Sequence, residues 1–422
     1  MKILHTSDWH LGQQFYNYDR AEEHRDMLRQ IADIVRDEQP DAMVVSGDIF
    51  HTGNPSSAAV EMYNHALLDM HRACPDMQIV VTAGNHDSAV RLVVNNALWE
   101  HFNVTVVGHM ARNNDENRTP DYASHIVEVT GKDGKTIGYI AAVPHCYEAN
   151  YPAADPNLQR HDRAVAYYSG LAKHIADINA DNLPVVLMAH MAVSGSDFSG
   201  HDQIGGMECQ EAETLGTGYD YIALGHIHTP QNVNLSARYC GTPIAVNFGE
   251  KGEHSVSIVE VEHGKEPVIA TRAIKNIRPL IDFPTPVPAK DAKEEDLPEE
   301  CRPKPFSEVR QLLADIDPDK ECYIRVVIKV DDSLTQLVER QIKEAVEGKK
   351  CKICGYPYIF TYKRDIPEKE TVEMFNASTL KEKSPIEVAE LFFKMRGIEM
   401  RDNWREKIID STHKALENEK SE

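Results

Sequence analysis

A chain of 422 residues is long enough for two or three domains and a sizeable core. Its formal net charge of -22 speaks against a surface that grips nucleic acid unaided, because neutralising phosphates takes clustered Lys and Arg and no such block occurs. No apolar run approaches the roughly 18 residues of a membrane span, Lys2 leads straight into a strand-like run with no room for a secretory leader, and the eight cysteines show no disulfide framework, so a cytoplasmic protein is expected.

In chain order, short apolar runs at residues 2–5, 42–45, 79–81, 185–188 and 221–224 read as buried strands. Each precedes a polar signature: Asp8-Trp9-His10, Gly47-Asp48, Gly84-Asn85-His86-Asp87, a lone His190, and Gly225-His226-Ile227-His228. Residues just past the carboxyl ends of successive strands meet along one sheet edge, where loops hold a site on a rigid scaffold. Taken singly, Asp48 and Asn85 read as turn or cap residues and His190 as a structural histidine. The ordered set reads as a metal site.

Seven candidate ligands, Asp8, His10, Asp48, Asn85, His190, His226 and His228, fill two metal shells if Asp48 bridges both ions. A bridged pair sits about 3.5–4 Å apart, close enough to hold a nucleophile and phosphate oxygens together. Carboxylate, amide and imidazole donors without thiolate suit Mn²⁺, Fe or Zn²⁺ better than Mg²⁺, which prefers oxygen ligands. Two Mn²⁺ per chain are expected. Glycines at 47, 84 and 225 fit tight strand-to-loop turns beside a metal or phosphate. The loop at residues 13–18, next to Asp8 and His10, is a candidate DNA contact or a plain surface loop.

Strand signals continue at 255–261 and 268–271, so residues 1–275 predict a two-sheet α/β sandwich with helices outside. A Pro-rich segment follows from 284 to 305. Within it residues 291–300 hold six acids and one lysine, as a solvated linker would. Strand-like runs at 323–330 and 358–362 flank a helical stretch at 334–346, a small α+β unit within 276–372. Cys351 and Cys354 form the one C-x-x-C pair. A zinc ribbon needs a second, so they read as ordinary thiols. In the remainder, 373–422, Ser384-Pro385-Ile386-Glu387 starts a helix with Ile386, Ala389, Phe392 and Phe393 as its apolar stripe. A second stripe, Trp404, Ile408, Thr412, Ala415 and Leu416, follows an Asn403 cap.

The order D-x-H, G-D, G-N-H-D, H, G-H-x-H resembles that of the calcineurin-like metallophosphoesterases. Residues 3–12, Ser46-Gly47-Asp48-Ile49-Phe50 and Tyr239-Cys240-Gly241-Thr242-Pro243 resemble the bacterial double-strand-break repair nucleases among them. That resemblance covers about the first 275 residues with high specificity and the rest in layout. It implies that Asp8, His10, Asp48 and His228 hold one Mn²⁺ and Asp48, Asn85, His190 and His226 the other, with His86 facing the scissile phosphate. Three residues after the bridging aspartate many members carry another aspartate, the partner of the catalytic histidine. Here it is His51, similar to archaeal and eukaryotic repair nucleases in which this histidine is functional. The acid partner of His86 is thereby left open, with Asp87 available. The resemblance further implies that 276–372 caps the site and helps select DNA, that the 373–422 tail docks on an ATPase subunit by a helix-in-groove mode, and that helices at 57–70 and 90–99 pair two copies within a heterotetramer.

Two function classes follow. One is a nuclease subunit acting on DNA ends, hairpins and single strands. The other is a stand-alone metallophosphatase or cyclic-nucleotide phosphodiesterase, which needs neither the extra domain nor the amphipathic tail.

Overall fold

The computed structural model describes residues 1–360 apart from 154, 156, 199–208, 251, 290–291 and 331–334, together with 386–390 and 405. The chain divides into two compact units, Met1–Ile328 with Thr335–Pro357, and Lys329–Leu334 with Tyr358–Glu422.

The apolar runs are strands, and they are apolar at nearly every position because both faces are covered. In the first six-stranded sheet, Lys2–Thr6, Ala42–Ser46, Gln78–Thr82 and Val104–Val107 run parallel. Ser255–Glu260 and Val268–Ala273 add antiparallel strands beside the first. The second six-stranded sheet carries Ile126–Thr130, Thr136–Ala142, Val185–His190, Tyr221–Gly225, Ala237–Tyr239 and Gln231–Asn232 in that spatial order.

Side-chain alternation sorts these strands into three apolar layers. Ile3, Val44 and Val80 of the first sheet meet Ile140, Val186, Met188 and Ala223 of the second between the sheets. On the outer face of the first sheet, Leu4, Met43, Val45 and Val81 pack on helices α1 (Ala21–Glu38) and α2 (Ser57–Ala73). Two short helices, α3 (Ala89–Leu92) and α4 (Asn96–Trp99), close the same face with Leu92 and Trp99. On the second sheet Val185, Leu187, Ala189 and Leu224 pack on α5 (Arg160–Ile178), through its Tyr167, Tyr168, Leu171 and Ile175. The expected two-sheet sandwich with outer helices is the fold.

The first unit continues past residue 275. Leu280–Phe283, Tyr323–Val326 and Lys352–Gly355 form a parallel three-stranded sheet, accompanied by α6 (Phe306–Ala314) and α7 (Thr335–Ala345). The Pro-rich, acidic stretch before α6 is compact in part, with 3-10 turns at Glu294–Asp296 and Glu299–Cys301. Helix α6, just past it, buries Val309 and Leu313. This sheet is tied to α1 by a buried polar cluster. Glu23 accepts the Tyr323 hydroxyl at 2.6 Å and Arg278 at 2.9 Å, and faces Arg20 at 3.6 Å.

All eight cysteines are free. Among the described residues no helix is long and apolar enough to cross a membrane. Of the tail, residues 386–390 and 405 are helical, and the stripes expected at 384–396 and 403–417 otherwise lie outside the described residues.

Two buried histidines make stability depend on pH. Burial, reinforced by Arg238, pushes His5 down to about 3, and burial with Arg20 does the same to His24. Each folded pKa is therefore depressed below the value near 6.5 of an unfolded chain, so the fold favours the neutral ring. The contribution is complete above about pH 6.5. It is lost as pH falls toward about 3, at about 1.4 kcal/mol per pH unit for each ring, because the unfolded chain binds the extra proton. The urea midpoint should fall from pH 6.5 to 4.5. His24→Leu should flatten that decline, since neither His24 ring nitrogen has a hydrogen-bond partner to lose among the described residues. An unchanged slope in the variant would exclude His24 as a source.

Candidate metal centre

The carboxyl edges of both sheets meet at one place. The loop after Lys2–Thr6 brings Asp8 and His10, and the loop after Ala42–Ser46 brings Asp48 and His51. The loop after Gln78–Thr82 brings Asn85 and His86. From the second sheet, His190 ends its own strand, and His226 and His228 follow Tyr221–Gly225.

Backbone bonds lace these loops together. Asp8 N donates to Gly47 O at 2.9 Å, His10 N to Asp48 O at 3.0 Å, and Leu11 N to Ile49 O at 2.9 Å. Across the sheets, His226 N donates to both Asp8 carboxylate oxygens at 3.1 Å, and His190 Nδ1 bonds Ser46 O at 2.7 Å. This lacing holds four residues in the left-handed region, Asp8 at φ 53°, His10 at 45°, Asp48 at 51° and His226 at 97°. Such conformations cost of order 1–3 kcal/mol each and persist only where the surroundings over-determine them.

Two glycines are dictated by close approach. A Cβ on Gly84 would lie 2.1 Å from Asp48 Oδ1, and one on Gly225 would lie 1.8 Å from Ser46 O.

The donors form overlapping groups. Asp8, His10 and His228 make one, Asp48, His190 and His226 a second, and His10, His51 and His86 a third, each with ligand atoms within 4.8 Å of one another. Asp48 Oδ2 lies 3.8 Å from His10 Nε2 and 3.5 Å from His190 Nε2, between the first two groups. Asn85 Oδ1 lies 3.0 Å from His190 Nε2 and 2.9 Å from His226 Nδ1. All seven expected ligands are brought together.

A divalent cation fits this donor set on electrostatic grounds. His190 spends its Nδ1 hydrogen on Ser46 O, so in the neutral ring Nε2 presents a lone pair to the acceptors Asn85 Oδ1 and Asp48 Oδ2. His10 Nε2 faces His228 Nε2 at 3.3 Å. Lone pairs converging on lone pairs need positive charge between them. The titration of the groups reports the same demand. Burial would raise the Asp48 carboxyl, but His190 and the other imidazoles hold it well below the usual range. Burial would lower His190, but Asp48 lifts it to about 9. Asp8 is raised by burial, and His10 is held well below its ordinary value by burial.

His86 sits on the open side. It is exposed, its backbone N–H donates to Asp48 Oδ1 at 2.9 Å, and its Nδ1 bonds the His51 carbonyl at 2.9 Å, which leaves Nε2 free of that bond. The His51 and His86 rings stack with centroids 5.7 Å apart. Asp87 does not partner His86. Its carboxylate accepts the backbone N–H groups of Ile49, Phe50 and Gly84 at 3.1, 2.9 and 2.8 Å and pins two ligand loops together. Burial, with the Asp48 charge, raises it to about 6.

Sequence reasoning missed Glu250. Its carboxylate is 1% exposed and 3.2 Å from His228 Nδ1. No motif or apolar run marks it, and only the folding of the 242–250 loop over the cluster reveals it. Cys351 and Cys354 are buried and belong to no metal-like group among the described residues.

Known protein families and relatives match much of the chain. Residues 1–230 match the calcineurin-like phosphoesterase family model, and residues 299–396 match a model described as the type 5 capsule protein repressor C-terminal domain. Over 278 residues the chain is 32% identical to SbcD of the nuclease SbcCD from Rhodobacter capsulatus, covering 63% of this chain and 68% of that protein. The Escherichia coli K12 protein of the same name is 32% identical over 283 residues, 63% of this chain and 66% of its own length. The Bacillus subtilis one is 29% identical over 292 residues, 67% and 72% respectively.

Because Gly225 has no room for a methyl group, Gly225→Ala should separate the two sheet edges and cost about 3 kcal/mol. Denaturant unfolding of the metal-free protein measures this, and a loss within experimental error would show that the edges can shift apart freely.

Proposed function

The chain belongs to the calcineurin-like phosphoesterase family, and from that premise we propose that it is the DNA nuclease subunit of an SbcCD-type complex, hydrolysing phosphodiester bonds together with the ATPase subunit SbcC. The observation that carries this reading is the convergence of seven oxygen and imidazole donors on one sheet edge with His86 exposed beside them. A stand-alone phosphatase shares the metal core but accounts for neither the second matched domain at 299–396 nor the relatives' common name.

In this reading Asp8, His10, Asp48 and His228 hold one cation and Asp48, Asn85, His190 and His226 the other. Mn²⁺ is the proposed ion, because mixed oxygen and imidazole donors suit it. Two bound divalent ions supply Lewis-acid activation of water and of the phosphodiester. The chain's own groups do the rest. Asp48 sets the spacing of the two donor groups. His86 offers Nε2 to a phosphate oxygen or the leaving group, its ring oriented by the His51 carbonyl and stacked on the His51 ring. Bound cations also offset the chain's acidity where the DNA backbone must approach.

The remaining assignments are parts of the same proposal. Residues 276–372 serve as a capping domain that helps select DNA ends, hairpins and single strands. The tail at 373–422 docks on SbcC, in the cytoplasm, as part of a heterotetramer. A homodimer contact is supported by Val90 in α3, Val94 in the turn after it and Leu98 in α4, which are 65–77% exposed. Leu92, on the same short helix as Val90, is 4% exposed and belongs to the core.

Two experiments test the reading. His86→Ala should keep two manganese ions per chain and lose nuclease activity by about 10²-fold or more, whereas Asp48→Ala should lose both ions and activity. Metal content falling equally in the two variants would contradict the division of roles. Val94→Asp with Leu98→Asp should give a monomeric mass by light scattering at micromolar concentration where the wild type is dimeric. A wild-type monomer would remove the dimer.

A further inference from the structure

We propose that Glu250 is a positioning residue of the metal centre, acting through His228. The assignment rests on the reading of Asp8, His10 and His228 as cation ligands, and it adds the group that orients one of them.

The geometry points one way. His228 presents Nε2 to the cluster, 3.3 Å from His10 Nε2, and Nδ1 to Glu250 Oε1 at 3.2 Å. A proton on Nδ1 shared with a buried carboxylate leaves Nε2 as the lone pair for a cation. It also fixes the ring plane and makes Nε2 more electron-rich. With a 1% exposed carboxylate, Glu250 is not a surface ion pair that water would screen.

Glu250 is itself held from several directions. Oε1 accepts the backbone N–H groups of Val246 and Asn247 at 3.0 and 3.1 Å, and Oε2 accepts the Thr242 hydroxyl at 2.8 Å. His254 Nε2 stands 3.9 Å away on the far side. The loop is anchored in turn. Arg20 donates to Ala245 O at 2.6 Å and to Gln13 Oε1 at 2.8 Å, and Gln13 Nε2 donates to Val246 O at 3.0 Å. Arg20 faces Glu23, which also takes the Tyr323 hydroxyl. A continuous polar chain thus runs from the strand Tyr323–Val326, through the start of α1, to the carboxylate behind His228. A carboxylate serving only to close its own loop would not need to face a ligand imidazole.

Glu250→Gln separates the role from the fold. The amide oxygen can replace Oε1 and the amide nitrogen can meet Thr242, so the loop keeps its bonds while the charge goes. Titration of the metal-free proteins with MnCl₂ should give two ions in the wild type. In the variant, one site should be unchanged and one weakened by about tenfold to a hundredfold. At two equivalents of manganese the spin-coupled pair signal in electron paramagnetic resonance should drop accordingly. His254→Ala, which touches Glu250 only at long range, should bind both ions as the wild type does. Two wild-type affinities in Glu250→Gln would overturn the proposal. Absence of manganese binding by the wild type would instead remove the metal reading beneath it.

A measurement on the unaltered protein stands if the variant does not fold. In the Zn²⁺-loaded wild type, long-range proton–nitrogen correlation should show His228 protonated at Nδ1, with that proton shifted strongly downfield. An Nε2–H ring would overturn the assignment.

Discussion

Everything around the centre follows from burying two carboxylates and four imidazoles where two sheets meet. Asp8, Asp48, His10, His190, His226 and His228 are each at most 8% exposed. Water cannot compensate their charges there, so the groups must compensate one another or share a cation. The upward shift of His190 and the downward shift of Asp48 are that constraint expressed as titration. Positive φ at four of these residues is its expression in the backbone. The fold absorbs the strain because the loops bond to each other rather than to solvent, with the Gly47, Asp48 and Ile49 carbonyls taking the N–H groups of Asp8, His10 and Leu11.

The same economy explains Asp87. A carboxylate beside His86 in sequence looks like its partner. In space it is consumed by three backbone donors from two ligand loops, and it works as a clamp. His86 turns instead to a carbonyl, which orients the ring without adding a charge. A histidine at position 51 is compatible with this, because the bond to His86 comes from its main chain and its side chain stacks.

The sheet formed by residues 280–283, 323–326 and 352–355 is coupled to the centre through polar groups as well as packing. Phe15, Tyr323 and Cys354 form a small apolar cluster. Beside it, Glu23 gathers Arg20, Arg278 and the Tyr323 hydroxyl. Breaking a buried pair leaves the other charge uncompensated, so this junction is rigid where an exposed ion pair would not be. It places the loop of Glu250 under the control of the strand Tyr323–Val326, far along the chain, an arrangement built by tertiary contacts alone.

The strands that precede the candidate ligands, and the convergence of those candidates, were legible in the sequence. A parallel strand covered on both faces must be apolar throughout, and a metal ligand must be polar just beyond it, so the boundary between the two is printed in residue type. The candidate ligands from Asp8 to His228 could therefore be named before any coordinate. Helix α6 was not, since it is only nine residues long and follows an acidic, Pro-rich stretch that imitates a linker. Nor were the left-handed backbone at four ligands, the role of Asp87 as a clamp, or Glu250 behind His228, for none has a local signature. Each depends on which atoms meet across about 22 to 218 positions of chain, and such contacts are decided by packing. Composition and periodicity determine what a segment can be. Only the assembled sheets determine which carboxylate faces a metal ligand and which faces a backbone amide.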